Sequence, residues 1–178
     1  MRRFVSTLLI FAALAVVVGA QGPAAKPSLA EQVKMIQRNR ELYKLAVHNG
    51  LNQSTKVDAL ERAGISFELA KEFGDEMRKA AVSHDSARVV ELGQHLNRVV
   101  EQGVVANLSQ ARKITKAGSE SEKALLDRRD KAIEDLKSIE EDIRRNLGSD
   151  NSKEVEAVLK GIREGQKKVE KAAEAEAR

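Results

Sequence analysis

Histidine is the side chain best suited to proton transfer and metal ligation near neutral pH, and this chain has three, His48, His84 and His95. His84 and His95 stand eleven residues apart and could share one face of a helix. Eleven residues of helix span about 16 Å, too far for two ligands of one ion. Neither His-x-x-x-His nor Glu-x-x-His occurs, so the ligand pattern of di-iron bundles is missing. Each histidine is therefore expected to be structural or solvated, with His48 placed near a helix end. There is no cysteine, which excludes disulfides, thiolate metal sites and covalent haem. No Gly-x-Ser-x-Gly elbow or glycine-rich phosphate loop is present. Carboxylates are plentiful but interleaved with bases, as in Glu134 with Lys137 and Glu140 with Arg144, the spacing of ion pairs on a wet helix face. No catalytic, cofactor-binding or metal-ligating residue is nominated, no cofactor is implied, and the expectation is a protein that is not an enzyme.

The elements that carry these residues begin after an export signal. Arg2 and Arg3 precede an apolar run from Val5 to Val18, which ends in Val18-Gly19-Ala20. This is the layout of a cleavable secretory signal over 1–20, retained as an anchor only if cleavage fails. An exported protein, periplasmic or extracellular, is expected. Without Arg2 and Arg3 the 31 basic residues become 29 against 27 acidic ones, far from the basic excess of a nucleic-acid binder. After Ala20 the only rings besides histidine are Tyr43, Phe67 and Phe73, too few for the stacking platforms of single-strand binding. The core must be aliphatic.

Residues 21–27 (QGPAAKP) read as a linker holding both prolines of the chain. The proline-free remainder reads as one helical domain over 28–178. A first helix is expected from Ser28, with Ser28 and Glu31 as a capping box. It should end near His48, with Gly50 in the left-handed position. Its apolar stripe is Leu29, Val33, Ile36, Tyr43 and Val47, interrupted by Arg40. Lys34, Arg38, Arg40 and Lys44 cluster beside it, read as a solvated face balanced by Glu31 and Glu41 or as a patch for an anion or a membrane surface. A second helix follows a cap at Ser54 or Thr55 and buries Val57, Leu60, Ile65, Leu69, Phe73, Met77 and Ala80, with a break expected at Gly64.

The third helix is capped by Asp85 and buries Val89, Leu92, Leu96, Val99, Val100, Val104, Leu108, Ala111 and Ile114, with Gly118 at its end. Its apolar spacing is three and four, not two, which overrides the strand preference of valine. The fourth opens with the box Ser119 and Glu122. Its seam is Leu126, Ile133, Leu136, Ile143 and Leu147, flanked by Leu125, Ala132 and Ile139, and Gly148 stops it. The fifth is capped by Asp150, Asn151 or Ser152 and buries Val155, Val158, Leu159, Ile162, Val169 and Ala173. The tail beyond Val169 should fray. Short joints predict antiparallel neighbours. The fold class is all-α, an antiparallel bundle of four to five long helices, elongated or completed as a homodimer.

Two polar residues interrupt these stripes. Asn107 sits beside Val104 and Leu108, and Arg129 falls on the run 122, 126, 129, 133, 136. Such residues fix register or oligomer state, or lie at the edge and reach water. Asn52-Gln53-Ser54 and Asn107-Leu108-Ser109 match the glycosylation acceptor pattern.

The segment from His84 to Arg112 (HDSARVVELGQHLNRVVEQGVVANLSQAR) resembles a stretch of uncharacterised exported helical proteins of bacteria. The resemblance covers the central two helices and implies no activity or site. In general plan the chain is also similar to small all-helical periplasmic stress chaperones, although their repeated Leu-Thr-x-x-Gln motif is not found in it. The functional expectation is a protein-binding or scaffolding module that recognises another protein or itself, with no nucleic acid and no membrane span after signal cleavage. The alternatives are a periplasmic chaperone shielding apolar segments and a metal-binding bundle.

Overall fold

A computed structural model describes residues 28–148 and 152–174, with the backbone only at 31, 32 and 35. The signal and linker readings, and the candidate caps Asp150 and Asn151, lie outside the described residues. Every regular element among the described residues is helical. The elements are α1 (Leu29–Arg38), α2 (Arg40–Thr55), α3 (Ala59–Val82), α4 (Ser86–Val99), a π-helical turn (Val100–Val105), α5 (Ala106–Ile114), α6 (Glu120–Leu147) and α7 (Lys153–Ala173). The chain divides into two units, Met1–Thr55 and Lys56–Arg178, where the sequence pattern reads as one domain over 28–178.

In the first unit α1 starts directly after Ser28. It does not run on to His48, because Asn39 breaks it, and α2 then continues to Thr55. Gly50 lies inside α2 and is not among the glycines of positive φ, so it does not supply the expected stop.

The second unit is built from four rods, α3, the run 86–114, α6 and α7. Asp58, not Ser54 or Thr55, caps α3: its carboxylate accepts from Leu60 N at 2.6 Å. The helix passes through Gly64 without a break. It ends in a left-handed turn in which His84 takes φ 55° and Asp85 N–H returns to Ala80 O at 2.9 Å, a place usually held by glycine. Asp85, Ser119 and Ser152 then cap α4, α6 and α7 through their side chains. In the Ser119 box the Glu122 carboxylate reaches Gly118 N, not Ser119 N. Gly118 and Gly148 both take positive φ, the conformation that favours glycine.

Two of the three joined neighbours are antiparallel as expected, and the third pair is not in contact along its length. Arg62 reaches Asn107 and Gln110, so α3 runs antiparallel to the run 86–114. Arg144 and Arg163 meet Glu156 and Glu140 respectively, so α6 and α7 are antiparallel too. Across the two hairpins the contacts rise together. Gly64 faces Arg128 and Gly74 faces Ile139, while Gly93 faces Val158 and Gly165 faces Val100. The α3–α6 and α4–α7 interfaces are therefore parallel. The loop between α5 and α6 joins diagonal rods, so sequence neighbours here are not neighbours in space along their length.

The core is aliphatic, centred on residues such as Leu92, Leu96, Leu136 and Ile143, each at most 2 % exposed. The stripe of α7 is buried as expected, and Ala173 is still helical and buried, so fraying does not begin at Val169. On α6 the seam is rotated by one residue: Leu125, Ala132, Leu136, Ile139, Ile143 and Leu147 are buried, whereas Leu126 and Ile133 are half-buried. A small residue, Ala132, faces inward where the rods come close, and Ile133 is displaced to the edge. On α3 the same preference buries Ala59, Ala63, Ser66 and Ala70, leaves Leu60 and Ile65 half-buried, and puts Val57 in solvent. Ile114, at the end of the run 86–114, is also exposed.

Candidate interaction surface

In the second unit several polar side chains tie the rods of the bundle together. Arg62 Nε donates to Asn107 Oδ1 at 2.9 Å, and its other nitrogens reach Gln110 Oε1 and the carbonyls of Lys56 and Val57. Asn107 Nδ2 donates to Gly103 O at 2.7 Å, within the π-helical turn. Asn107 is thus a half-buried clamp between α3 and α5. Arg129 is off the seam, beside the rotated stripe, and bonds its neighbour Asp130. Arg78 ties α3 to α6 through Asp142 and Ser138. Glu140 is buried and receives both Arg144 and Arg163. Arg88, also buried, pairs with Glu91 at 2.7 Å.

The histidines do not converge. His84 is exposed in its turn, and His48 meets Asn52 at 3.0 Å on α2. His95 stacks on Phe73, with ring centroids 5.6 Å apart. Burial there pushes the imidazole below its ordinary value of 6.5, against the pull of Glu91, while Arg98 and Arg88 push the same way as burial. Glu122 is held below the ordinary carboxylate value by the Gly118 amide and then by Arg112. Among the described residues no three histidine, aspartate or glutamate side chains are placed to hold a metal ion. Among them, too, no helix is long and apolar enough to cross a membrane.

The first unit is different. Leu29, Val33, Ile36, Val47 and Leu51 are 39–77 % exposed. Ile36, Tyr43, Val47 and Leu51 line one shallow depression, and Arg40, Lys44 and His48 stand around it. Lys44 is held by Glu41 at 2.8 Å, and that contact keeps the Glu41 carboxyl below its ordinary value. On α1 Leu29, Val33 and Ile36 share one face, and Lys34 and Arg38 lie on the opposite one by helical spacing. Single exposed apolar residues are ordinary on a protein surface, whereas a contiguous row of them is not. The first-helix stripe that the sequence suggests as core is such a row.

Comparison with known proteins adds no relative: no family model, curated protein or solved structure matches the chain.

Proposed function

We propose that this is an exported, non-enzymatic helical protein that acts as a protein-binding or scaffolding module, engaging another protein or a second copy through a helix face. One observation supports this most: the apolar side chains of 56–174 largely fill their own core, while the row on α1 and α2 stays exposed. A helix face of this kind is read by a partner helix or groove through anchors three and four residues apart. Export rests on the N-terminal sequence of 1–20.

The same exposed row supports a second reading, a chaperone that shields apolar segments. Selectivity separates the two, because a shield takes many clients and a binding module takes one. Crosslinking and affinity capture of the tagged chain from its native envelope tests both. A single stoichiometric partner, or the chain captured with itself, is the expected result. A broad range of unfolded clients would favour the chaperone, and no crosslink at all would remove the binding reading.

A further inference from the structure

Leu29, Val33, Ile36, Arg40, Tyr43 and Val47 follow one another at alternating intervals of four and three residues. That is the a/d spacing of a coiled-coil seam. It persists across the break at Asn39, where Tyr43 N still bonds Asn39 O at 2.9 Å. Ile36 of α1 lines the same depression as Tyr43 and Val47 of α2, so the two helices present one continuous stripe. Leu29, Val33, Ile36 and Val47 on it are exposed, and Tyr43 is half-buried.

The charge of the stripe selects among occupants. Arg40 sits at a seam position, and Lys44 flanks it. No carboxylate stands on the seam: Glu31 and Glu41 fall at other positions of the repeat. In a parallel pair of identical chains Arg40 would meet Arg40. In an antiparallel pair it would face apolar seam residues with no acid to meet it. Glu41 beside it feels the Arg40 charge but lies off the seam, and a guanidinium desolvated with no acid across from it is costly, so a second copy fits poorly. A lipid surface would have to take Arg40 out of water between Ile36 and Tyr43, with no acid on the seam to offset it. A helix with an acid opposite Arg40 satisfies both the apolar spacing and the charge.

Resting on the protein-binding reading above, we propose that the α1–α2 stripe is the docking seam for an amphipathic helix of another protein that carries a carboxylate facing Arg40.

The test uses the full chain, in the form the producing cell yields, and two labelled three-heptad helical peptides. Both have leucine at the seam positions. One has glutamate, the other lysine, at the position that meets Arg40 and at its flanks. Fluorescence anisotropy should show the glutamate peptide binding at least tenfold more tightly. Arg40→Glu, at an exposed position, should invert the order without loss of helix by circular dichroism. Equal affinities, or binding by neither peptide, overturn the proposal. So does partition onto phosphatidylglycerol vesicles with both peptides ignored, or a chain dimer that Val47→Asp dissociates. If the peptides fail but a stoichiometric partner crosslinks to α3–α7, the seam is refuted and the binding reading stands. If envelope capture also fails, both fall.

Discussion

Gly93→Ala should destabilise the protein although alanine is the better helix former. Gly93 lies in α4 against α7. A Cβ added there would overlap Val158 Cγ1, with Met77 Cε at 3.1 Å and Val158 Cβ at 3.2 Å, both inside ordinary contact at 3.4 Å. Val158 is β-branched and held to few rotamers. Met77, buried, stands on the same side, with its Cε 3.1 Å from the added Cβ. Relief therefore needs a shift of α7 itself. Alanine gains about 1 kcal/mol in helix propensity over glycine. Overpacking costs about 1–3 kcal/mol and more where backbone must move. The net expectation is a loss of about 1–2 kcal/mol, the overpacking cost at its upper end less the propensity gain. Urea unfolding followed by circular dichroism measures it. The sharper readout is the pair with Val158→Ala. Alone, that truncation costs about 1–3 kcal/mol through the cavity it leaves. In the Gly93→Ala background it should cost nothing or stabilise, because the new methyl occupies the vacated space. Additive effects of the two substitutions, or a Gly93→Ala protein as stable as the parent, would refute the packing described for this interface.

The same chemical change should have the opposite sign at Gly50, which is helical and has nothing within 4 Å of an added Cβ: Gly50→Ala should stabilise α2 by about 1 kcal/mol, seen as slower proteolysis within 40–55. Arg62→Ala removes four hydrogen bonds, one of them to the half-buried Asn107, and should cost about 1–3 kcal/mol with faster amide exchange at 103–110. Arg62→Lys should recover little, because one ammonium cannot reach all four acceptors. For His95 the folded value lies below 6.5, so the unfolded chain binds the proton more readily. Its contribution is fully present above about pH 6.5 and is lost as pH falls below that, toward the folded value. Stability should decline as pH falls below about 6.5, and His95→Gln should flatten that decline in urea midpoints. A slope unchanged by His95→Gln would show that another group titrates there.

Helix identity was legible because proline is confined to positions 23 and 27 and the apolar spacing of 89–111 and 155–173 is sustained. The caps at Asp85 and Ser119 were legible for the same local reason, a short oxygen-bearing side chain just before a helical stripe, and Ser152 was one of three such candidates for the last helix. What local pattern could not give was rotation. Leu125-Leu126 and Ala132-Ile133 each offer two adjacent apolar candidates, and bulk favours the wrong one of each pair. The bundle buries the alanine because the rods approach closely, which is a property of the partner helix. The misreading of Gly64 has the same origin. Read along its own helix it is a weak point, but across the interface it is where the Arg128 side chain lies within 2.9 Å of an added Cβ. The π-helical turn at Val100–Val105 has no local signature, since its residues keep the apolar spacing of the helix on either side. The parallel pairing of α3 with α6 was equally hidden, because loop length limits how far apart two helix ends lie and not which rods become neighbours.

The first unit shows the reverse limitation. Its stripe was legible, Arg40 included, but periodicity alone does not distinguish a stripe that a protein buries in itself from one it offers to a partner. Composition on the stripe does. The seams of α6 and α7 keep cations off the buried positions, and the buried Arg88 is matched by Glu91 at 2.7 Å. The α1–α2 stripe carries Arg40 with no acid on the seam. On the docking proposal, a cation placed where a core would need a counter-charge, amid side chains that remain exposed, is met by an acid of the partner. The missing charge therefore says more about the occupant than the apolar residues do, since leucine and valine would suit any hydrophobic cover.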